Sequence, residues 1–141
     1  MSTISIRKAS IGDADALFGF ARALATSYIV ERGAFERALS RITDSDSSLL
    51  FVAESGSRIA GYALASIVPT FYANGMLVEL VELYVDEQMR GLGIGSALMS
   101  DIEAEARRIG AVEITVMTRR ARDFYLKSGF EETAIYYKRK L

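Results

Sequence analysis

Three glycines lie within five residues of this sequence, at Gly91, Gly93 and Gly95. Glycine loses more backbone freedom on folding than any other residue, so such a cluster is costly unless the backbone needs conformations that glycine adopts freely. The cluster separates an apolar, strand-like run at 76–86 from an amphipathic helical pattern at 94–109. Amides in the first turn of a helix lack intrahelical partners, and the helix dipole favours an anion beside them. The stretch therefore predicts a strand–turn–helix unit that can bind a phosphate group.

Two common nucleotide-binding loops do not fit the spacing of these glycines. A dinucleotide fingerprint that began at Gly91 would need its third glycine at position 96, where the sequence has Ser96. A P-loop needs G-x-x-x-x-G-K-[ST], and the sequence contains no such run. The glycines therefore either hold a different phosphate-bearing ligand or only shape a tight turn before the helix.

The absence of cysteine and histidine narrows the possible chemistry. It excludes disulfides, thiol nucleophiles, Ser-His-Asp catalysis and metal sites built from His and Cys, and we expect no metal. Catalysis would have to use Glu, Asp, Tyr, Lys, Ser or backbone amides, which suits reactions in which a cofactor supplies the activated group.

Net charge and hydropathy restrict the partners that we expect. The formal net charge is −1, which argues against a nucleic-acid-binding surface. No apolar run approaches the roughly 18 residues that a membrane span needs. The opening segment at 1–10 lacks the apolar core of a signal peptide. We therefore expect a cytoplasmic protein without membrane or nucleic-acid partners.

The spacing of apolar residues predicts one mixed α/β domain over residues 1–141. Strands are predicted at 3–9, 48–54, 58–68, 76–86, 112–117 and 130–141, and helices at 14–25, 35–42, 94–109 and 119–128. Asp13 is the predicted cap of the first helix. Because hairpins and strand–helix–strand units coexist in this order, the sheet should be mixed and mostly antiparallel, with a parallel step around the helix at 94–109.

Three segments resemble the GNAT acetyltransferase superfamily. Arg90, Gly93 and Gly95 form R-x-x-G-x-G, which resembles the acetyl-CoA-binding motif of that family. Residues 121–130, ARDFYLKSGF, resemble its A-x-x-[LF]-Y-x-x-x-G-F signature, and residues 4–17 resemble its usual opening. The predicted order of elements is also that of the family. The resemblance covers essentially the whole chain and implies a single N-acetyltransferase domain whose twisted sheet, flanked by helices, is splayed at the central acetyl-CoA-binding strands.

The resemblance also implies which residues bind acetyl-CoA. The pyrophosphate would lie on backbone amides of the segment Arg90, Gly91, Leu92, Gly93, Ile94, Gly95 and Ser96. The pantetheine arm would run beside the preceding strand, at Leu83, Tyr84 and Val85. Many members contact coenzyme A through an asparagine three residues before Ala121, and this chain has Thr118 there instead.

The implied reaction is attack by an amine on the thioester carbonyl, with coenzyme A leaving as a thiolate. Tyr125 matches the tyrosine that similar enzymes place near the sulfur, and a phenol with a pKa of about 10 can donate a proton to a thiolate. The alternative for Tyr125 is core packing beside Phe124. Glu79 matches a strand glutamate that acts as the base in some members, whereas Glu82 and ordered water are the alternatives. Simple alternation along the strand puts these two carboxylates on opposite faces.

The sequence leaves the acceptor amine unidentified, whether a small molecule, a peptide or a protein. The resemblance nominates Tyr28, Phe71, Tyr72 and Tyr136 for its pocket, although packing explains such aromatic residues equally well. Arginines 119, 120 and 122 either approach the adenosine 3′-phosphate or form a solvated helix face. The family resemblance allows a homodimer. Two alternatives to an enzyme are an acyl-CoA sensor of the same fold without turnover and a non-catalytic interaction module.

Overall fold

In the computed structural model, which describes residues 3–141, the chain forms an open five-stranded sheet with two helices on each face. The strands are β1 (Ile4–Lys8), β2 (Ser48–Ser55), β3 (Arg58–Pro69), β4 (Met76–Val85) and β5 (Glu113–Val116). The helices are α1 (Ala14–Leu24), α2 (Arg32–Thr43), α3 (Ile94–Arg108) and α4 (Arg122–Lys127). The first two residues of the opening segment, Met1 and Ser2, lie outside the described residues.

The strands lie side by side in chain order, β1-β2-β3-β4-β5. The first three pairings are antiparallel, and β4 pairs with β5 in parallel because α3 carries the chain back between them. This arrangement confirms the predicted mixed, mostly antiparallel sheet and the hairpin of β2 and β3. In the part of the chain that the structure describes, no helix combines the length and the apolar character needed to cross a bilayer.

Each face of the sheet has its own apolar core. Helix α3 covers one face and buries Ile94, Leu98 and Ile102 almost completely against the small residues of β3. The opposite face packs against α1 and α2 through Leu17 and Leu39. Burying a side chain of this size contributes roughly 1.5–3 kcal/mol each, so the two cores hold the central strands from both sides.

The prediction of a last strand at 130–141 is wrong. In the structure described for residues 3–141 this segment has no regular secondary structure, and residues 131–141 are all exposed. The sequence has the composition of a strand there, but a strand also needs a neighbouring strand to pair with, which a local pattern cannot supply.

The helix predicted at 119–128 begins three residues later than expected, with α4. The Oγ1 atom of Thr118 accepts hydrogen bonds from the backbone amides of Arg120 and Ala121, at 3.3 and 3.0 Å. A threonine hydroxyl that accepts from amides two and three residues on favours a turn over a helix. Thr118 therefore fixes a turn that delays the start of α4.

Asp13 stabilises the first turn differently from the prediction of a helix cap. Its carboxylate accepts hydrogen bonds from the backbone amide of Ser10, at 2.8 Å, and from both terminal nitrogens of Arg7, at 2.8 and 2.7 Å. Arg7 lies on β1 and also pairs with Glu54 on β2. Asp13 is 8% exposed, and the Arg7 guanidinium holds the pKa of Asp13 below its ordinary value. The ion pair thus joins the start of α1 to the edge of the sheet.

We expect Asp13→Asn to lower the free energy of unfolding by about 1–2 kcal/mol, the scale of a hydrogen bond to a charged group whose partner, the Arg7 side chain, is 40% exposed. Because folding lowers the pKa of Asp13 from 3.8, its carboxylate stabilises the native state above that pH. The contribution is lost as pH falls through the lowered pKa. The free energies of unfolding measured with urea should therefore differ between wild type and variant at pH 7 and become equal well below pH 4.

Asp15→Asn is the matched control for this prediction. The Asp15 side chain is 94% exposed and pairs with Arg32 on the surface, so its loss should change stability by at most about 0.5 kcal/mol. Equal destabilisation by the two substitutions would contradict the role given to the Arg7–Asp13 pair. So would a stability difference between wild type and Asp13→Asn that does not change with pH.

Candidate active site

The glycine-rich segment forms the turn that the sequence predicts between β4 and α3. Gly91 and Gly93 have φ values of +82° and +81°, a left-handed conformation that side chains rarely adopt. Gly93 is the cap residue of α3, and the next residue, Ile94, is 1% exposed and anchors the helix in the core. The two glycines therefore let the chain leave the strand and enter α3 within a few residues.

The start of α3 offers unpaired backbone amides. In a helix the first amides have no intrahelical acceptor, which here applies to Ile94, Gly95 and Ser96. Within the described chain, the first turn of α3 holds no acidic side chain and receives no side-chain cap. Ser96 and the loop residue Leu92 are both exposed. This end of the helix therefore presents hydrogen-bond donors and a positive dipole end to solvent.

Arg90 folds back from the loop onto the end of β4. Its Nε atom donates to the carbonyl oxygen of Val85 at 3.1 Å, and its guanidinium lies 5.3 Å from the centre of the Tyr84 ring. Such a cation–π contact is worth about 0.5–1 kcal/mol at an exposed site. The contact fixes a positive charge between the open end of β4 and the start of α3.

Strands β4 and β5 separate after a short parallel pairing. Among residues 3–141, β5 pairs with β4 from Leu77 to Leu80, and beyond that point β4 continues beside β3 alone. The amide of Asp86 donates to Ala60 of β3 at 2.7 Å. Since backbone groups alternate between the two edges of a strand, Leu83 and Val85 direct theirs toward the open edge. The predicted splay of the central strands is confirmed.

A β-bulge at Val81 overturns the expectation that Glu79 and Glu82 point to opposite faces. Leu80 pairs with Ala65 of β3 and Glu82 pairs with Leu64, so Val81 lies between them without a partner in β3. One extra residue reverses the alternation of every side chain after it. Glu79 and Glu82 therefore lie on the same face of the sheet, the face that packs against α1 and α2.

Glu82 is held by a buried tyrosine that the sequence did not single out. The hydroxyl of Tyr62, on β3, donates to Oε1 of Glu82 at 2.6 Å. Tyr62 is 3% exposed, and burial together with the neighbouring Glu82 carboxylate raises the pKa of Tyr62. A tyrosine in an apolar strand indicates a buried hydroxyl that needs a partner. Only the pairing of β3 with β4 identifies that partner.

Tyr125 is a residue of α4 and belongs to the apolar core on the α3 side of the sheet. It is 7% exposed, and its ring makes edge-to-face contacts with Phe124 and Phe130 at 5.1 and 5.5 Å between centroids. Burial raises the pKa of Tyr125, so the phenol is protonated at neutral pH. Tyr125 and Glu79 both line a groove of about 910 Å³ along β5. Tyr125 therefore packs in the core and also borders the groove.

The four aromatic residues nominated for the acceptor pocket lie on the surface. Their exposed fractions exceed half for each of Tyr28, Phe71, Tyr72 and Tyr136. Tyr136 lines the groove beside β5, and Tyr28 lies below the ammonium group of Lys140, 4.6 Å from its ring centre. Of the arginines near α4, Arg122 pairs with Glu132 and Arg120 donates to the carbonyl of Leu24 at 3.4 Å.

Comparison with known families shows the family of this chain. A model of the acetyltransferase (GNAT) domain matches residues 46–132, which include the glycine-rich loop and the ARDFYLKSGF segment. The chain belongs to the GNAT family.

A curated relative supports the same family. An uncharacterized N-acetyltransferase of Methanocaldococcus jannaschii is 33% identical over 87 residues, which cover 58% of this chain and 52% of that protein. The match thus spans about half of the relative's length.

Solved GNAT structures share the fold over nearly the whole chain. Glucosamine-6-phosphate N-acetyltransferase from Arabidopsis thaliana superposes with a TM-score of 0.85 at 22% identity, covering 98% of both chains. A predicted acetyltransferase from Clostridium acetobutylicum, solved with acetyl-CoA, gives a TM-score of 0.84 at 20% identity and covers 98% of this chain and 96% of that one. These similarities confirm the fold that the sequence predicts.

Proposed function

We propose that this protein transfers an acetyl group from acetyl-CoA to the amine of a small molecule or polypeptide. The main support is the junction of β4 and α3. There two left-handed glycines expose the unpaired amides of a helix start, directly beside a strand edge that β5 has left open. A diphosphate fits the unpaired amides of the helix start, and an extended chain that carries amide groups fits the open strand edge.

The residues of this junction fit coenzyme A in shape and charge. The amides of Ile94, Gly95 and Ser96 would bind the pyrophosphate, with Arg90 adding positive charge. The open backbone groups of Leu83 would pair with the pantetheine arm. Val85 would contribute as well, although its carbonyl oxygen already accepts Nε of Arg90 at 3.1 Å.

The Tyr84 side chain points away from the arm, toward α1, where its ring lies 5.4 Å from that of Phe20. Thr118 already uses its hydroxyl to hold the turn before α4. Any contact of Thr118 with coenzyme A would therefore come from its backbone and not from its hydroxyl.

The chain's own side chains would move two protons. Acetyl-CoA supplies the acetyl group as an activated thioester. An alkyl amine with a pKa of about 10 is mostly protonated at neutral pH, so a base has to remove its proton before attack. Glu79 and Glu82 lie on one face and are the candidates, directly or through water. The protonated hydroxyl of Tyr125 would donate its proton to the departing sulfur.

Binding is tested by thermal unfolding with and without acetyl-CoA, since a ligand that binds only the native state raises the melting temperature. Gly93→Ala places a Cβ at a φ of +81° and should cost about 1–2 kcal/mol. It should also reduce the acetyl-CoA-induced shift, because the loop amides move.

Gly19→Ala is the control for this binding test. Gly19 lies in α1, where an added Cβ meets nothing within 4 Å. Alanine there should stabilise the helix by about 0.5–1 kcal/mol and leave the ligand-induced shift intact. A wild-type melting temperature that does not respond to saturating acetyl-CoA would refute the donor assignment.

Turnover is tested by thiol release across amines, amino acids and peptides with free N-termini. With an acceptor found in this screen, we expect Tyr125→Phe to lower kcat about 10²-fold while acetyl-CoA affinity changes little. A collapse of affinity would instead identify Tyr125 as structural. Binding of acetyl-CoA without acetylation of any acceptor would favour an acyl-CoA sensor over an enzyme.

The base is identified by comparing Glu79→Gln with Glu82→Gln, two isosteric changes on one face of the sheet. The substitution that removes the base should lower kcat about 10²-fold and abolish the acidic limb of the pH–rate profile. The other variant serves as its control. If both variants keep the wild-type profile, neither carboxylate is the base and ordered water takes that role.

A further inference from the structure

Tyr62 and Glu82 form a polar pair on the face of the sheet that α1 and α2 cover. The Tyr62 hydroxyl donates to Oε1 of Glu82 at 2.6 Å. A hydrogen bond from a phenol to a carboxylate is charge-assisted, and such bonds are roughly twice as strong as those between neutral groups. Tyr62 belongs to β3 and Glu82 to β4. The bond therefore links a residue of the apolar core to one of the two candidate bases.

The bulge at Val81 creates this pair. Across β3 and β4, Tyr62 lies opposite Tyr84, and Glu82 lies opposite Leu64. Tyr62 and Glu82 are therefore diagonal neighbours on one face, within reach of a long side chain. Without the extra residue, simple alternation would turn Glu82 to the α3 face, away from the hydroxyl.

The position of the Tyr62 hydroxyl is fixed by the packing of its ring. Tyr62 is 3% exposed. Its apolar cluster also holds Leu17 of α1, Leu39 of α2 and Val52 of β2. The Phe20 ring of α1 lies 6.4 Å from the Tyr62 ring, centre to centre, and is nearly parallel to it. Interiors packed this closely hold a side chain in one rotamer, so the hydroxyl stays directed at Glu82.

The direction of the bond is fixed as well. Burial, together with the neighbouring Glu82 carboxylate, raises the pKa of Tyr62. The phenol therefore keeps its proton at neutral pH and acts as the donor. Because Oε1 of Glu82 accepts this bond, it is occupied whenever the carboxylate is charged.

The second oxygen of Glu82, Oε2, is available. Among residues 3–141 it takes part in no hydrogen bond and no ion pair. No buried side-chain oxygen in this range lacks a partner, so the unpaired Oε2 is accessible to solvent.

Few charged groups surround Glu82 on this face. Glu79 and Tyr84 lie on the same strand, and Arg90 lies over the Tyr84 ring at 5.3 Å from its centre. Helix α1, which packs against this part of β4, contributes the uncharged ring of Phe20. The bond from Tyr62 is therefore the direct polar contact that orients the carboxylate.

We propose that Tyr62 is a positioning residue for the base: by holding Oε1 of Glu82, it leaves Oε2 as the atom that removes a proton from the acceptor's ammonium group. The proposal rests on the proposed acetyl transfer and assigns its base to Glu82, with Glu79 outside the proton transfer. In this step an N–H bond of the ammonium group breaks and the proton passes to Oε2. The nitrogen keeps the electron pair with which it attacks the thioester.

Tyr62→Phe tests this role, because it removes the hydroxyl and keeps the ring in the core. With an acceptor found in the screen, kcat should fall about 10-fold, less than the 10²- to 10⁴-fold typical of losing the base itself. The KM for acetyl-CoA should change little. Without its donor the charged carboxylate is less favourable, so it takes up a proton at higher pH. The acidic limb of the kcat/KM profile should therefore move up by about one pH unit.

Val52→Ala is the control for a loosened core. Val52 is fully buried and lies opposite Tyr62 across β2 and β3. Alanine there leaves a cavity beside the Tyr62 ring but keeps the hydroxyl bond. It should lower Tm and leave the acidic limb where it is in wild type. An acidic limb that moves equally in both variants, or in neither, would overturn the proposal.

The hydroxyl proton of Tyr62 provides a measurement that needs no turnover. We expect a downfield resonance for this proton in the NMR spectrum, identified by its loss in Tyr62→Phe. Its chemical shift should change with pH as Glu82 takes up a proton, with the same midpoint as the acidic limb of the kcat/KM profile. In Glu82→Gln this titration should vanish together with the limb. Different midpoints, or a limb that is lost in Glu79→Gln but persists in Glu82→Gln, would overturn the assignment.

Failure of this proposal and failure of the proposed reaction give different results. If wild type binds no acetyl-CoA or acetylates no acceptor, the reaction fails and the role of Tyr62 fails with it. If wild type turns over an acceptor and Tyr62→Phe matches it in kcat and in pH profile, the positioning role alone is refuted.

Discussion

The separation of β4 from β5 after Leu80 is the constraint on which the rest of the site depends. It leaves the second half of β4, an interior strand of the sheet, with one paired edge and one open edge. The bulge at Val81 lies at the same place. A bulge bends a strand and increases its twist, so it helps β4 to diverge from a neighbour with which it would otherwise remain parallel.

The same bulge also arranges the candidate catalytic groups. By adding one residue it moves Glu82 to the face of Glu79 and under the hydroxyl of Tyr62, and it directs the side chains of Leu83 and Val85 toward α3. Helix α3 can then begin close to the open edge, because Gly91 and Gly93 turn the chain sharply and Ile94 anchors the first turn in the core. The proposed binding surface and the candidate acid–base groups thus depend on one local irregularity, and the packed cores on both faces keep it in place.

At the opposite margin of the sheet, β5 is short and its outer edge is unpaired in the described chain. The segment at 131–141 has strand-forming residues and exposes large apolar side chains, yet in the described structure it does not pair with that edge.

The sequence by itself determined the class of the fold, the hairpin, the strand–glycine–helix junction and the residues expected at the donor side. These features follow from periodicity, from glycine's access to positive φ and from motifs that lie within single segments. Only the tertiary structure decided that Glu79 and Glu82 share a face, that Tyr62 holds Glu82, and that the last segment lies outside the sheet. Each of these depends on how distant strands pair: a bulge has no sequence marker in β4 alone, and the register of β3 against β4 joins residues 20 positions apart. A strand forms only where another backbone is available to accept and donate its hydrogen bonds.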